Sequence, residues 1–399
     1  MNLNNNGKMD NRWDFAADYL KRQEEKGLLR SWKIVSSAGR EARVSVGGTW
    51  LINLASNDYL GLKNDPRLSL AAAKAAEKWG MGSGSSRLIS GTTELHKQVE
   101  YELARFHGTQ SALTFSSGYA AGVGVISALA GRGDRVYLDR LCHACLYDGA
   151  KMSGAELRRF RHNNPGHLEE MLKKDSGLKG RPLVVTDTVF SMDGDRAPLE
   201  DLASICSRYS ALFLADEAHA VGVLGPGGRG LAAEAGLGEE EVIVMGTLGK
   251  AFGVSGAYLA GQKLLTSYLV NTCRSFIYST APPPPLLAAV SAALGIIRGA
   301  EDLRRRLLDM ADRLRTCLGD LGLDTLCSST QIVPAVMGDV ERAVKFAARL
   351  REERVFAPAI RPPTVPEGTS RVRFSLTAAL TEDCFQSLLA AAGRAVKEL

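Results

Sequence analysis

One lysine in the second half of the chain has the surroundings of an amine nucleophile. Lys250 lies among Gly246, Gly249, Gly253 and Gly256, and no charged residue occurs within eight positions on either side. Glycine lets the backbone bend and approach a ligand closely. A lysine among small apolar residues loses solvation of its ammonium, which lowers its pKa. The segment therefore favours a lysine that forms a Schiff base with an aldehyde, with an ordinary surface-loop lysine as the alternative.

A group of small polar residues follows another apolar run. Ser116, Ser117, Gly118 and Tyr119 come directly after Ala112–Phe115. Hydroxyls and the N–H groups of a helix N-terminus form a natural cradle for phosphate, whereas the plain alternative is a serine N-cap. The pattern indicates a helix start that could hold a phosphate.

Two histidines and two aspartates also follow apolar runs. Asp139 and His143 come after one run, and Asp216 and His219 come after another. A histidine at such a place can stack on a planar cofactor or act as acid or base, and it can equally be a core histidine. Asp216 could pair with a protonated ring nitrogen, and His219 could reach the same ring from its edge. No further cluster of ligands completes a metal site around them, so we expect no metal.

These pieces fit one cofactor. A lysine for a Schiff base, a phosphate cradle, a stacking residue and an aspartate at a ring nitrogen are what pyridoxal 5'-phosphate requires. The aspartate would keep the pyridinium protonated, so that the ring accepts electrons from the alpha carbon of a substrate. A nucleotide is not expected, because Gly82-Ser83-Gly84 lacks a third glycine and no GxxxxGK[ST] occurs.

The elements that must position these residues alternate between short apolar runs and helical stretches such as Leu199–Tyr209. Nearly continuous apolar runs are typical of a parallel sheet that is covered on both faces, and ligands of a doubly wound sheet lie at the carboxyl ends of its strands. The sequence predicts an α/β fold with strands at Ala112–Phe115, Arg135–Leu138, Leu183–Thr186, Ala211–Ala215, Val242–Met245 and Ala257–Ala260.

Three parts are expected along the chain. Residues 1–55 form an N-terminal segment, in which residues 1–12 are expected to be disordered. Residues 56–285 form a large cofactor-binding domain with a mostly parallel, doubly wound sheet. Residues 286–399 form a smaller C-terminal α+β domain, which begins after the break at Pro282–Pro285.

Other elements are predicted within these parts. In the first half of the chain they are a helix over Phe15–Leu29, a hairpin over Arg43–Leu54 with its turn at Gly47-Gly48, and a helix over Pro66–Trp79. The C-terminal part is expected to contain helices at Leu286–Gly299, Leu303–Leu321 and Val340–Arg351, and strands at Gln331–Met337 and Arg371–Thr377.

Composition narrows the class of protein. The net charge of +5 is mild and no dense Lys/Arg block occurs, so nucleic acid is not expected as a partner. The N-terminus lacks the apolar core of a signal peptide, and the longest apolar stretch, Leu286–Ile297, is too short to span a bilayer. We therefore expect a cytoplasmic protein with no membrane partner.

The seven cysteines are scattered, which argues against a disulfide framework. Cys142 and Cys145 form a CxxC, but no second CxxC follows, so a structural zinc site is not expected. A redox role for this pair stays open as an alternative function.

Several uninterrupted blocks are together highly specific for one family. They are SNDYLGL (Ser56–Leu62), GSGSSRLISG (Gly82–Gly91), VFSMDGDRAPL (Val189–Leu199), ADEAHAVGVLGPGGRG (Ala215–Gly230), TLGKAFGVSGA (Thr247–Ala257), FIYSTAPPP (Phe276–Pro284) and AIRPPTVPEGTSRVRFSLTAAL (Ala359–Leu380). In these blocks the chain resembles the alpha-oxoamine synthase family of fold-type-I pyridoxal phosphate enzymes, from about Leu28 to Ala379. The last block is most similar to the branch that joins L-alanine to a pimeloyl thioester in biotin biosynthesis.

The resemblance implies roles for individual residues toward the cofactor. Lys250 would hold it covalently and later remove the alpha proton of L-alanine. Asp216, at the ring nitrogen, and His143, stacked on the ring, complete the catalytic set. The remaining contacts implied are Gly118 and Tyr119 along the cofactor, Ser191 at its ring oxygen, His219 at its phenolic oxygen and Thr247 at its phosphate.

The resemblance also implies how substrates bind. Arg373 would bind the amino-acid carboxylate, and His143 would face the substrate as well as the ring. Arg30, Asn57 and Thr364 would line the acyl-CoA side. One departure from the family pattern is Asp187, which stands where a glutamate is expected.

The implied activity is a decarboxylative condensation of L-alanine with pimeloyl-CoA or a pimeloyl carrier protein. A homodimer with shared active sites is expected, in which Ser279-Thr280 reaches the partner's cofactor. The alternatives are glycine-using siblings (2-amino-3-ketobutyrate CoA ligase and 5-aminolevulinate synthase), serine palmitoyltransferase, or a non-catalytic cofactor-binding protein on the same scaffold.

Overall fold

The structure of the protein is a computed structural model. It describes residues 12–37 and 42–399, so the disorder predicted for residues 1–12 falls, apart from Arg12, outside the described residues. No helix in these ranges is long and apolar enough to cross a membrane.

The strands are short and spread along the chain. They are β1 (Val35–Ser37), β2 (Arg43–Val46), β3 (Thr49–Asn53), β4 (Ser111–Phe115), β5 (Arg135–Asp139), β6 (Glu156–Phe160), β7 (Pro182–Asp187), β8 (Leu212–Asp216), β9 (Ile243–Thr247), β10 (Ala257–Gly261), β11 (Ile332–Gly338), β12 (Val355–Phe356), β13 (Ala359–Ile360) and β14 (Ser370–Ser375).

The helices connect and cover these strands. They are α1 (Asp14–Glu25), α2 (Pro66–Trp79), α3 (Glu94–His107), α4 (Gly118–Leu129), α5 (Ala144–Ser153), α6 (Pro165–Lys174), α7 (Leu199–Arg208), α8 (Leu231–Glu234), α9 (Lys263–Thr272), α10 (Arg274–Ile277), α11 (Pro284–Arg298), α12 (Glu301–Asp320), α13 (Val340–Glu352) and α14 (Glu382–Lys397).

A seven-stranded sheet with the order β4-β10-β9-β8-β7-β5-β6 forms the centre of the molecule. Neighbouring strands from β9 to β6 are parallel, and β10 runs antiparallel between β9 and β4. This confirms the predicted α/β fold with a mostly parallel sheet. Every strand predicted for this sheet is present, with ends shifted by one or two residues.

Strand β6 was not predicted. Its sequence, ELRRF, is largely polar, and only Phe160 in it is fully buried. It lies at the edge of the sheet beside β5, where one side of a strand has no neighbour and a continuous apolar run is not required. Its existence depends on pairing with β5, which a local pattern cannot show.

Both faces of the central sheet are buried. Val184 and Val185 are adjacent in β7 and point to opposite faces. Each is fully buried, and the two belong to different core clusters. Helices therefore cover the sheet on both sides, which explains why its inner strands are continuously apolar.

The N-terminal hairpin is formed as predicted. Strands β2 and β3 pair in antiparallel fashion, and Gly47 and Gly48 at their turn have φ of 60° and 79°, which a hairpin turn of this kind requires. Strand β12 from the C-terminal part adds to β3 in parallel. Helix α1 ends at Glu25, before the predicted end, because Gly27 turns the chain with φ of 63°.

The C-terminal part contains a sheet of its own, with the order β11-β14-β13. The predicted strand–helix–strand series corresponds to β11, α13 and β14. Helix α11 packs against α2 and α3 of the first half of the chain. The exact division of the chain into parts at 55 and 285 stays a prediction.

Candidate active site

The polar residues predicted from the sequence converge at the carboxyl ends of the central strands. In the register of β7 with β8, Asp187 lies opposite Asp216, and Asp216 in turn lies opposite Met245 of β9. Lys250 follows in the loop between β9 and β10. A parallel sheet brings the ends of such strands to one edge, and three separated parts of the sequence therefore meet there.

The loop that carries Lys250 is held in a fixed shape. The N–H of Gly253 donates to the carbonyl oxygen of Lys250 at 2.9 Å. Gly253 has φ of 68°, and a Cβ there would come within 2.4 Å of the backbone nitrogen of Lys63, so glycine is required. Burial lowers the pKa of Lys250 to about 8, although the charges of Asp216 and Asp187 oppose this shift. The predicted lowering of the pKa is thus confirmed.

Asp187 and Asp216 form a buried pair of carboxyl groups. Burial raises the pKa of both, and the charge of Asp216 raises that of Asp187 further, well above its usual range. The charges of Lys250 and His143 and the N–H of Ala218 counteract the shift at Asp216. Burial thus disfavours the charged form more strongly at Asp187, whereas the neighbours of Asp216 favour its charged form.

His143 lies beside this pair, at the start of α5. Its backbone N–H donates to Oδ2 of Asp187 at 2.9 Å, so the shorter side chain at the position of the expected glutamate still anchors the turn. The N–H of Cys145 donates to Nδ1 of His143 at 3.3 Å, which caps the helix. Burial lowers the pKa of His143, and the neutral ring lines a cavity.

His219 is buried behind the same edge. Its Nδ1 lies 2.6 Å from the hydroxyl of Tyr59, and its carbonyl oxygen accepts from Nε2 of Gln331 at 2.7 Å. Burial and the charges of Lys250 and Arg373 lower the pKa of His219 well below its usual value. The imidazole is therefore neutral.

The start of α4 lies next to the end of β9. The hydroxyl of Ser117 accepts from the N–H of Ala120 at 3.1 Å, which leaves the N–H groups of Gly118 and Tyr119 for a ligand. A Cβ at Gly118 would lie 3.9 Å from Oγ1 of Thr247. The serine cap and the phosphate cradle, posed as alternatives from the sequence, are therefore compatible. The side chain of Tyr119 is half exposed and bonds to Asp148, and its role toward a cofactor stays a prediction.

Arg373 reaches the site from β14. Its Nε donates to the carbonyl oxygen of Ser191 at 2.6 Å, and its Nη2 donates to Oδ1 of Asn57 at 3.1 Å. The side chain is buried, and these bonds leave other N–H groups of the guanidinium for a substrate carboxylate. The sequence placed Asn57 on the acyl side, whereas the structure places it against Arg373, so its role toward the acyl group stays a prediction.

A cavity of about 690 Å³ opens from His143 toward the segment Pro362–Glu367. Ser191 and Thr364 line it, as does Arg140. Arg30 lies at the surface, with Nη2 3.4 Å from Oγ1 of Thr364. The structure thus brings Arg30 and Thr364 together, and their role toward the acyl group stays a prediction.

The geometry fits pyridoxal phosphate. Oδ1 of Asp216 accepts from the N–H of Ala218 at 2.9 Å, and in residues 12–37 and 42–399 no protein donor bonds to Oδ2, which is left for a ring nitrogen. Lys250 supplies an amine of lowered pKa, and the N–H groups at the start of α4 suit a phosphate. Each part of the cofactor has a matching protein group, so Lys250, Asp216, His219, His143, Gly118 and Thr247 would hold it.

Some residues that support the site were not predicted from the sequence. Tyr59 and Gln331, which fix His219, received no role, although Tyr59 lies inside the SNDYLGL block. Glu217 is fully buried, accepts from the N–H groups of Leu231 and Ala232, and has a pKa raised to about 7 by burial. These bonds hold the start of α8 beside Glu217. The sequence signal that could have identified Glu217 is its position directly after Asp216.

The cluster of His162, Asp193 and Asp195 could be mistaken for a metal site. Both ring nitrogens of His162 are bonded, to Asp139 at 3.0 Å and to Asp195 at 2.8 Å, and Asp193 pairs with Arg371. Both ring nitrogens of His162 and the carboxylate of Asp193 are thus engaged with protein groups, which argues against a cation in this cluster.

Comparisons with known proteins identify the family of the chain. The model of the family "Aminotransferase class I and II" matches residues 49–391. The 8-amino-7-oxononanoate synthase of Geobacter sulfurreducens is 48% identical over 96% of this chain and 98% of its own.

Solved structures give the same answer for the fold. A serine palmitoyltransferase of S. paucimobilis with bound pyridoxal phosphate and myriocin has a TM-score of 0.90 at 31% identity, covering 98% of this chain and 100% of its own. An 8-amino-7-oxononanoate synthase of Francisella tularensis has a TM-score of 0.76 at 29% identity, covering 87% of this chain and 98% of its own. The chain belongs to the aminotransferase class I and II family and, within it, to the 8-amino-7-oxononanoate synthases.

Proposed function

We propose that this protein condenses L-alanine with pimeloyl-CoA, or with a pimeloyl carrier protein, and releases carbon dioxide and the free thiol. A carbon–carbon bond forms between the alpha carbon and the thioester carbonyl, the thiolate leaves, and the alanine carboxylate is lost, which gives 8-amino-7-oxononanoate. The observation that carries the proposal is that the charges of Asp216 and Arg373 both act on Lys250, while Arg373 bonds to Ser191, which lines the cavity together with His143.

The cofactor of this chain is pyridoxal phosphate, which supplies an electron sink for the negative charge that builds up on the alpha carbon. Asp216 is suited to hold the protonated ring nitrogen, because Lys250, His143 and the N–H of Ala218 favour its ionised form. His219 and the start of α4 would position the rest of the group.

Lys250 is suited to move the alpha proton. Its pKa of about 8 means that a sizeable fraction of the amine is neutral at physiological pH, and a general base works best when its pKa lies near the working pH. Arg373 would hold the alanine carboxylate. Its two bonds to Ser191 and Asn57 fix the direction of the guanidinium, whose charge acts on Lys250.

The cavity is suited to a long acyl thioester. It is lined by Leu141, Tyr147 and Val365 as well as polar groups, and apolar walls accept an alkyl chain. Arg140 on its wall and Arg30 beside Thr364 provide positive charge, which suits the phosphates of coenzyme A or of a carrier's prosthetic arm.

The visible absorption of the purified protein with pyridoxal phosphate tests the amino-acid preference. L-alanine is expected to shift the absorption band at lower concentration than glycine or L-serine. A stronger response to glycine would move the assignment to a glycine-using sibling, and a stronger response to L-serine would move it to a serine palmitoyltransferase. A protein that remains colourless would contradict the proposal as a whole.

We infer further that two copies of the chain associate. The segment 81–91 is bonded to the segment 278–282, through Ser83 and through a bridge between Ser86 and Thr280. These joined segments expose large apolar side chains, namely Met81, Leu88, Ile89 and Tyr278. Exposed apolar patches of this kind mark interaction surfaces, which supports a homodimer in which Ser279-Thr280 reaches the partner's site. Sedimentation of Ile89→Arg beside the wild type tests this: the variant is expected to be monomeric, and an unchanged dimer or a monomeric wild type would contradict it.

A cytoplasmic location is also proposed. All seven cysteines are free, and free thiols are typical of a reducing compartment.

A further inference from the structure

Tyr59 and His219 form a buried pair, and the part that Tyr59 plays toward His219 has not yet been given. The hydroxyl of Tyr59 lies 2.6 Å from Nδ1 of His219. Tyr59 has no exposed surface, and His219 is only 8% exposed. A contact this short between a phenol and an imidazole nitrogen is a strong hydrogen bond.

The direction of this hydrogen bond follows from the charge states. Burial raises the pKa of Tyr59 and lowers that of His219, so both groups are neutral at physiological pH. A neutral phenol has one proton to donate, and a neutral imidazole has one nitrogen that accepts. Either Tyr59 donates to Nδ1, or Nδ1 donates to the phenol oxygen.

The surroundings of the hydroxyl bear on that choice. Side-chain hydrogen bonds from Gln331, Arg373 and Ser375 reach the phenol oxygen. Another acceptor within reach of the hydroxyl is Oδ1 of Asn57, at 3.3 Å. That oxygen already accepts from Arg373 and from Ser375. We therefore expect the phenol to donate its proton to Nδ1, which lies 2.6 Å away, whereas Oδ1 of Asn57 lies 3.3 Å away.

The backbone of His219 is held as well. Nε2 of Gln331 donates to the backbone carbonyl of His219 at 2.7 Å, and Gln331 has no exposed surface. With its backbone held by Gln331 and its Nδ1 held by Tyr59, His219 presents Nε2 as its remaining polar atom.

We propose that Tyr59 is a positioning residue, whose hydroxyl donates to Nδ1 of His219 and so holds the imidazole as the tautomer with its proton on Nε2. His219 then offers a hydrogen-bond donor to the site, which suits an oxygen acceptor such as the phenolic oxygen of the cofactor. The tautomer of His219 is set by Tyr59 and does not require a bound substrate or cofactor. Its consequence for catalysis rests on the proposed function.

The tautomer can be measured without substrates. In protein labelled with ¹⁵N-histidine and free of cofactor, the ring nitrogens of a neutral histidine give distinct signals according to which one carries the proton. The chain has six histidines, and the signals of His219 are identified by their loss in His219→Gln. We expect Nδ1 of His219 to be unprotonated and Nε2 to be protonated in the wild type.

Tyr59→Phe removes the hydroxyl and keeps the ring. We expect it to convert the single tautomer of His219 into a mixture. A wild type with its proton on Nδ1, or a Tyr59→Phe spectrum identical to that of the wild type, would overturn the proposal. Either result would overturn the proposed tautomer whether or not the protein condenses L-alanine with an acyl thioester. Failure of this proposal can therefore be distinguished from failure of the proposed function.

A second buried pair provides a matched control. The hydroxyl of Tyr258 lies 2.7 Å from Nε2 of His107, and Tyr258 has no exposed surface. Tyr258→Phe therefore deletes the same kind of hydrogen bond in the core. Loss of one such bond costs roughly a factor of ten in an equilibrium or rate to which it contributes.

The two variants are expected to lose similar thermal stability but to differ in turnover. Tyr59→Phe should lower kcat about tenfold, whereas Tyr258→Phe should change it less than about twofold. Equal losses of kcat in both variants would show that Tyr59 acts only through stability and would contradict the positioning role.

Discussion

The guanidinium of Arg373 donates to the backbone carbonyl of Ser191 across 2.6 Å, although 182 positions separate the two residues. Arg373 belongs to β14 of the C-terminal sheet, and Ser191 follows β7 of the central sheet. The same side chain also bonds to Asn57, so three distant parts of the chain meet at the guanidinium of Arg373. The place proposed for the substrate carboxylate is therefore complete only when the C-terminal sheet packs against the central one.

Replacement of Arg373 tests this relationship. Arg373→Lys keeps the charge but cannot bond to Ser191 and Asn57 together, because an ammonium lacks the planar fork of a guanidinium. We expect the KM for L-alanine to rise about tenfold or more and the KM for the acyl thioester to change little. Arg371→Gln is the matched control, since Arg371 lies on the same strand and pairs with Asp193. An unchanged KM for L-alanine in Arg373→Lys would contradict the assignment.

The lowered pKa of Lys250 predicts how the cofactor becomes attached. Only the neutral amine attacks an aldehyde, and its fraction grows as pH rises through the pKa. With a pKa of about 8, the rate of covalent attachment of pyridoxal phosphate to the cofactor-free protein should reach half of its plateau near pH 8. Borohydride reduction followed by peptide mass spectrometry measures the rate and the position.

Lys250→Ala is the control for that experiment, and no covalent cofactor should be found in it. A rate that still climbs above about pH 10, as expected for an exposed lysine, would contradict the account. Attachment at another lysine would also do so.

His162 predicts a dependence of stability on pH. Burial disfavours its charged form, but hydrogen bonds to Asp139 and Asp195 and their negative charges outweigh burial and raise the pKa of His162 to about 9. Because the pKa is raised on folding, the stabilisation is complete below the unfolded value of about 6.5 and is lost as pH rises through about 9. The shift corresponds to roughly 3 kcal/mol at most.

Urea unfolding of the wild type and of His162→Gln measures this contribution. At about pH 6 the wild type should be more stable by about 2 kcal/mol or more, and at about pH 10 the difference should shrink. A difference that is the same at both pH values would show that the network does not depend on the charge of His162.

The CxxC pair should be dispensable for turnover. Both thiols are buried, and burial raises the pKa of Cys142 and of Cys145, which disfavours the reactive thiolate. The double variant Cys142→Ala, Cys145→Ala should keep its activity within about threefold and lose roughly 1 kcal/mol of stability for each buried sulfur. Activity that depends on both cysteines and on added reductant would instead support the redox alternative.

The sequence alone identified those site residues that come soon after a single strand. Lys250, Asp216, His143 and Gly118 could be found because each stands just after a short apolar run, and in a parallel sheet those positions share one edge. His219 was found in the same way, three positions after Asp216, whereas Arg373 was added by the resemblance to a family.

The contacts that position these residues could not be found in this way. Tyr59 and His219 are 160 positions apart, and His162 lies 23 positions from Asp139 and 33 from Asp195. Such pairs depend on how whole elements pack, which no local period encodes. Strand β6 was missed for a related reason, since its polar sequence forms a strand only beside β5.

The most direct test is product formation by the purified protein. With pyridoxal phosphate, L-alanine and pimeloyl-CoA present, mass spectrometry should detect 8-amino-7-oxononanoate together with stoichiometric free thiol, and Lys250→Ala should produce neither. Absence of this product from the wild type with both pimeloyl-CoA and a pimeloyl carrier protein, or faster condensation when glycine or L-serine replaces L-alanine, would contradict the account.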